Sequence, residues 1–369
     1  MLTNVQGLRA LAAFLVVFVH LEALAARLGL GADAFAFGNA GVDVFFVISG
    51  MIMVLTTSRR PVGAGEFLRN RIARIVPFYW LVTAVVFALA LAEPALFQGT
   101  RADPGALARS LLFVPFQRQD GVTAPVVFVG WTLNYEMAFY GLFALGLMLR
   151  DRRLGLVVTL AVLACAAGAG WAMQPADALM RFYSAPIILE FGLGMLIGVA
   201  AGRIRAEAAL RPAVLVLGGG ALVVMLCGPV LWPGADRLFA FGLPAAVVVA
   251  SAVYLEKAGW ALTWPLATRL GDASFATYLT HFFVTQAAVK AIEAAGVQDR
   301  AALVLAILAV FPLVAAAGVA VHLAAERPLS RALKRALTPR AAAPAAQPGA
   351  PAPRSAAAPP AGSARDLAV

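Results

Sequence analysis

Charge is scarce in this chain: Asp, Glu, Lys and Arg make up 13% of 369 residues, against 62% hydrophobic, and the mean hydropathy is +0.86. Soluble globular domains carry about 25% charged residues, so that class is excluded and a membrane protein remains. Cysteine is scarcer still. Cys165 and Cys227 both fall inside apolar runs, which excludes a disulfide framework or thiolate metal site and reads them as packing residues. No Walker or dinucleotide-binding glycine pattern is present, so no nucleotide fold supports a phosphate site; Gly218-Gly219-Gly220 lies within an apolar span and reads as packing. Internal repeats, a second domain and a metal-ligand pattern are also missing. The net charge of +10 would point to nucleic acid in a soluble protein. In a membrane protein topology absorbs it, and no nucleic-acid partner is expected.

What is there is a series of apolar runs. With a spanning length of roughly 20 residues, ten candidate helices cover about 8 to 26, 40 to 57, 75 to 92, 133 to 150, 154 to 172, 183 to 201, 213 to 232, 238 to 255, 273 to 293 and 302 to 324. The expected fold is an all-α polytopic membrane protein. Basic residues alternate between connections: Arg9, the connections after the second, fourth, sixth and eighth helices, and the C-terminal segment hold 21 of the 29, leaving 8 on the other side. By the positive-inside rule both termini are cytoplasmic. The connection from about 93 to 132 contains the semi-apolar stretch SLLFVPFQ, expected to lie at the membrane interface or to fold back onto the helices. Residues 1–336 read as one transmembrane domain, and 337–369, rich in Ala and Pro, as a disordered cytoplasmic tail.

Several ionisable residues interrupt the apolar runs. Arg9 and His20 are eleven residues apart, about three helical turns, hence on one helix face with roughly 16 Å of rise between them. A histidine at that depth carries a cost unless it faces a polar cavity, which makes function the default reading; the plain alternative is a packed histidine with Arg9 as a snorkelling anchor. GWTLNYEMAFYGLF carries Glu136, SAPIILEFGLGMLIG carries Glu190, and GDASFATYLTHFFV carries Asp272 and His281. Asp43 opens the second helix, ahead of Ser49-Gly50, a small pair that permits close helix approach. Two imidazoles and several carboxyl groups converging on the interior suit proton abstraction or a proton relay. In FLRNRIARIVPFYW, Arg71 and Arg74 share a face if the run is helical and form, with Arg69 nearby, a candidate phosphate clamp. Positive-inside bias alone also explains them.

The Arg9-to-His20 spacing, FGNAGVDVFFVISG, FLRNRIARIVPFYW, WTLNYEMAFY, LEFGLGML, LGDASFATYLTH and ERPLSR occur in an order that resembles acyltransferase family 3, over residues 4 to 331. These are bacterial multi-spanning enzymes that O-acylate sugars of exopolysaccharides, O-antigens and related glycans. WTLNYEMAFY and VISGMIMVLTT resemble the branch that acetylates exopolysaccharide repeat units. Met51 departs from the family's usual phenylalanine after Ser-Gly, an apolar exchange. The resemblance implies that His20 is the catalytic histidine with Arg9 its partner. It implies too that Arg71 and Arg74 handle the acyl donor, with acyl-coenzyme A, acetyl in the usual case, as co-substrate. A glutamate of the family's Trp-containing motif falls at Glu136, and no metal is implied. The expected location is the bacterial cytoplasmic membrane, with a glycan or lipid-linked sugar as acceptor and polysaccharide biosynthesis machinery as partner. On that basis neutral His20 takes the hydroxyl proton as the sugar attacks the thioester, Glu136 or another inward carboxylate orients the imidazole, and Ser49 or an amide near Gly50 steadies the oxyanion. The competing reading is a proton-coupled transporter or flippase of lipid-linked sugars, which the buried ionisable residues would serve equally well.

Overall fold

The computed structural model describes residues 2–31, 33–94, 102–118 and 120–338. Arg101 and the tail from 339 onward, expected to be disordered, lie outside the described residues. Ten long helices occupy the ten apolar runs. They are α1 (Thr3–Val19), α2 (Ala40–Arg59), α3 (Ala64–Ala92), α4 (Trp131–Leu147), α5 (Arg152–Met173), α6 (Leu189–Arg203), α7 (Arg211–Leu231), α8 (Leu243–Lys257), α9 (Ser274–Ala294) and α10 (Arg300–Val321). No named strand occurs among the described residues. Among the described residues, seven helical segments are long and apolar enough to cross a membrane. The chain is a multi-pass membrane protein.

Burial separates centre from rim. In the segment holding α2, 78% of the apolar window is buried, whereas in those holding α5 and α7 the figures are 17% and 6%. Apolar side chains left uncovered on such a scale belong against lipid, so α2 is the hub and α5 and α7 are outer staves. Cys165 and Cys227, expected as packing residues, stand on these exposed staves.

The tightest seam joins α2 and α6, where Gly50 and Gly194 face the opposite backbone. A Cβ on Gly194 would lie 2.8 Å from the carbonyl carbon of Val47, and one on Gly50 2.9 Å from that of Phe191. Small residues permit this approach, the usual device for helix association without a hydrophobic drive. Phe191 of α6 then stacks between Phe46 of α2 and Phe139 of α4, with both ring centroids at 4.4 Å.

Three boundaries differ from the apolar pattern. The first helix stops at Val19, His20 forms its C-cap, and a short separate helix, Glu22–Arg27, follows. The third begins at Ala64, eleven residues before the apolar run, so Arg69, Arg71 and Arg74 are helical. Its 29 residues extend to about 44 Å, well over the roughly 30 Å of a hydrocarbon core. The sixth run is divided into Ala178–Tyr183, a turn at Pro186–Ile188 and α6, which places Glu190 in the first turn of its helix. SLLFVPFQ folds back, as one of its two readings anticipated. Its first residues end the helix Pro104–Leu111, the Trp80 indole N–H donates to the Leu111 carbonyl at 2.9 Å, and Phe113 packs against Tyr79.

Candidate functional site

A narrow cavity opens between α1, α2, α3, α4 and α9, lined on its polar side by Arg9, Ser49, Arg71, Arg74, Glu136 and Tyr140. It leaves about 80 Å³ for the centres of water-sized molecules; at roughly 10–15 Å³ each, that is a file of several waters. The helical course of α3 makes this possible, because Arg71 and Arg74 at i and i+3 point the same way. Arg69, two residues from Arg71, stands exposed on another side of the helix and does not line the cavity.

The polar groups are held by neighbours on their own and on other helices. Ser49 donates to Oε1 of Glu136 at 3.1 Å, and the Tyr140 hydroxyl donates to the same oxygen. Arg71 lies over the rings of Phe67 and Tyr140, 5.5 and 5.8 Å from their centroids, and its Nε has no hydrogen-bond partner among the described residues. Ser330, of the terminal helix Arg327–Leu337, donates to the Arg74 carbonyl and pins that turn. Arg9 is buried, donating to Oε1 of Gln6 at 2.9 Å, while Gln6 Nε2 donates to Asp272. A snorkelling anchor would reach water, so that reading of Arg9 fails; Asp272 acts on the cavity wall through Gln6. Three guanidinium groups and one carboxylate share the lining, a surplus of positive charge fitted to an anion.

His20 belongs to a second group. Its ring faces that of His281, centroids 4.8 Å apart, with Phe128 edge-on at 6.4 Å. Nδ1 of His281 sits 2.7 Å from the Tyr278 carbonyl, which can only accept. The proton is therefore on Nδ1, leaving Nε2 as a bare acceptor with no partner among the described residues. Glu136, anticipated as the carboxylate that orients His20, makes no hydrogen bond to it; its oxygen is taken by Ser49 and Tyr140. Between the two groups stands Tyr278, which lines the arginine cavity on one side. Its hydroxyl donates to the Val129 carbonyl at 2.9 Å and meets Thr132 Oγ1 at 2.9 Å.

Asp43 and Glu190 form a third group. The Asp43 carboxylate receives Arg237 at 2.6 and 3.2 Å. Glu190 is completely buried, with Asp43 and Arg237 as charged neighbours and no hydrogen-bond partner for either oxygen among the described residues. A π-helical turn at Leu238–Gly242 begins one residue after Arg237, and Gly242 packs on Glu190. Sequence reasoning passed over Gln6, Thr132, Tyr278 and Arg237. Thr132 and Tyr278 lie inside quoted motifs, but no local pattern joins Arg237 to Asp43 across 194 positions.

Comparison with known proteins bears on what this arrangement does. Residues 2–323 match the family model described as Acyltransferase domain. The chain belongs to acyltransferase family 3. This acyltransferase is 40% identical to the Exopolysaccharide production protein ExoZ of Rhizobium meliloti (strain 1021), over 80% of this chain and 91% of that one. It is 28% identical to the Acyltransferase MdmB of Streptomyces mycarofaciens, over 81% and 82%. No solved structure matches.

Proposed function

We propose that this enzyme transfers an acyl group, acetyl in the simplest case, from acyl-coenzyme A to a sugar hydroxyl of an exopolysaccharide or related cell-surface glycan precursor. The observation that carries the reading is the cavity itself. Arg9, Arg71 and Arg74 line one cavity with Ser49, Glu136 and Tyr278, and the His20–His281 pair adjoins it through Tyr278, whose carbonyl meets His281 Nδ1 at 2.7 Å. Arg71 and Arg74, which line the cavity, present planar forks that suit the donor's phosphates. The exopolysaccharide name of the 40% identical relative supports the acceptor class.

His20 takes the proton of the sugar hydroxyl as its oxygen attacks the thioester carbonyl. A C–O bond forms, the C–S bond breaks, and the proton passes from the imidazole to the departing thiolate. The Ser49 hydroxyl gives its one proton to Glu136, so it serves the oxyanion only when that bond breaks. Family membership speaks for transfer over the transporter reading. The orientation fits: the chain crosses ten times with both termini in the cytoplasm, so Arg71 and Arg74 meet cytosolic coenzyme A across the bacterial inner membrane, where polysaccharide machinery works.

The test uses purified protein in nanodiscs with acetyl-coenzyme A, following free thiol with and without a lipid-linked sugar. Release that requires both the sugar and His20 supports the proposal; full activity in His20→Ala, or no turnover of coenzyme A, overturns it.

A further inference from the structure

Away from the cavity that Arg71 and Arg74 line, the ends of α2, α5, α6 and α8 surround a larger hollow of about 600 Å³, bordered also by Leu2 before α1. Its charged lining is all of one sign: Arg59 at the end of α2, Arg152 and Arg153 at the start of α5, Arg203 at the end of α6 and Lys257 at the end of α8. Two of the five close helix ends. Arg152 donates to the Thr57 carbonyl, and Lys257 Nζ lies 2.6 Å from the carbonyls of both Ala201 and Ile204. Such cations at helix C-termini are explained by the exposed carbonyls and the dipole. The guanidinium groups of Arg59, Arg153 and Arg203 have no hydrogen-bond, ion-pair or ring partner among the described residues, although the Arg153 backbone N–H donates to Asp151 at 2.8 Å. Glu256, beside Lys257, is occupied by the backbone N–H groups of Thr3 and Asn4, each at 2.8 Å.

Positive-inside bias accounts for arginines at these ends but not for the concavity or for what adjoins it. Ala201, Val253 and Lys257 also line a second groove, of about 230 Å³, between α6, α7 and α8. Its walls are Ile197, Ile204, Val214 and Leu217, with Lys257 its one charged residue. The cationic hollow and the apolar groove thus adjoin at Ala201, Val253 and Lys257, and the groove runs along α7, the segment with the least buried apolar window.

We propose that hollow and groove are one binding site for an anionic glycerophospholipid. The phosphate sits among Arg59, Arg153 and Arg203, whose planar forks match its oxygens, and one acyl chain passes Ala201 into the groove. Basic pockets between spanning helices at the cytoplasmic side hold such headgroups. The occupant is a bilayer lipid rather than coenzyme A, because a nucleotide has nothing to place in the apolar groove. The site stands apart from Arg71, Arg74 and His20, so it does not depend on the proposed chemistry.

The test is native mass spectrometry of the full chain in detergent, with phosphatidylglycerol or phosphatidylcholine added, for wild type, Arg153→Gln/Arg203→Gln and Ala201→Phe. Wild type should retain phosphatidylglycerol and release phosphatidylcholine. At about fivefold per cation near a headgroup, the double variant should bind about 30-fold more weakly. Ala201→Phe, which keeps every arginine and fills the junction, should lose the lipid too and covers the case in which the double variant does not fold. Both should keep wild-type thiol release. Equal retention of phosphatidylglycerol by both variants, equal retention of the two lipids by wild type, or displacement by equimolar inorganic diphosphate or polyprenyl phosphate would overturn the proposal.

Discussion

Replacing Gly194 by Ala tests whether the α2–α6 seam sets the shape of the arginine-lined cavity. The added methyl would stand 2.8 Å from the Val47 carbonyl carbon and 2.9 Å from the Met51 nitrogen. Carbon contacts of that kind settle at about 3.5–4.0 Å, so the two helices must part by roughly 1 Å. Both sides are backbone, and no side chain can swing aside. Overpacking of this sort costs typically 1–3 kcal/mol, or about 2–12 °C in melting temperature at 2–4 °C per kcal/mol. Gly50 meets the same seam from the other helix, 2.9 Å from the Phe191 carbonyl carbon. Once one methyl has forced the helices apart the second finds room, so Gly50→Ala with Gly194→Ala should cost less than the sum of the two. The displacement should also reach chemistry, since Ser49 sits next to Gly50 and its 3.1 Å bond to Glu136 spans α2 and α4. Gly219→Ala is the control. Nothing lies within 4 Å of its added Cβ, and alanine in a helix gains about 0.5–1 kcal/mol over glycine. Thermal unfolding in detergent and thiol release check all four proteins. An unshifted Gly194→Ala, or a double variant with fully additive loss, would refute the reasoning.

Arg71→Lys keeps the charge and loses the planar fork; the Michaelis constant for acetyl-coenzyme A should rise about tenfold with kcat less affected, and an unchanged constant would remove Arg71 from donor binding. Asp43→Asn leaves Arg237 without its ion pair. Removing one partner of a buried pair costs roughly 3–5 kcal/mol, and with Arg237 32% exposed the loss in a denaturation assay should fall at the lower end; Asp43→Asn with Arg237→Gln should recover part of it. Tyr278→Phe removes the hydroxyl that bonds the Val129 carbonyl. Thiol release without any sugar, measured as background hydrolysis, should increase as the barrier between cavity and imidazoles loosens, and an unchanged background would show that the hydroxyl closes nothing.

The helices were legible because a spanning helix must be apolar over its whole length, and that requirement is written locally in each run. Where a boundary moved, local hydropathy had been silent about a tertiary cause. Arg69 to Arg74 continue α3 because Ser330 and the terminal helix pack on that turn. The ionisable residues that the fold turns inward were legible by the same logic in reverse: His20, Glu136, Glu190 and His281 stood out as polar groups within apolar runs. Their partners were not, since Arg9–Gln6–Asp272, Asp43–Arg237 and His20–His281 each join distant segments. The expected Glu136–His20 pairing illustrates this. His20 caps the end of α1 beside His281, whereas Glu136, inside α4, gives its carboxylate oxygen to Ser49 and to Tyr140 one turn along.

Tyr278 and His281 lie three residues apart on α9, the first walling the arginine cavity and the second facing His20, and the Tyr278 carbonyl holds the His281 ring. One residue thus serves both groups: the Tyr278 ring walls the cavity and its carbonyl fixes the His281 imidazole, so a backbone change at Tyr278 would be felt in both at once.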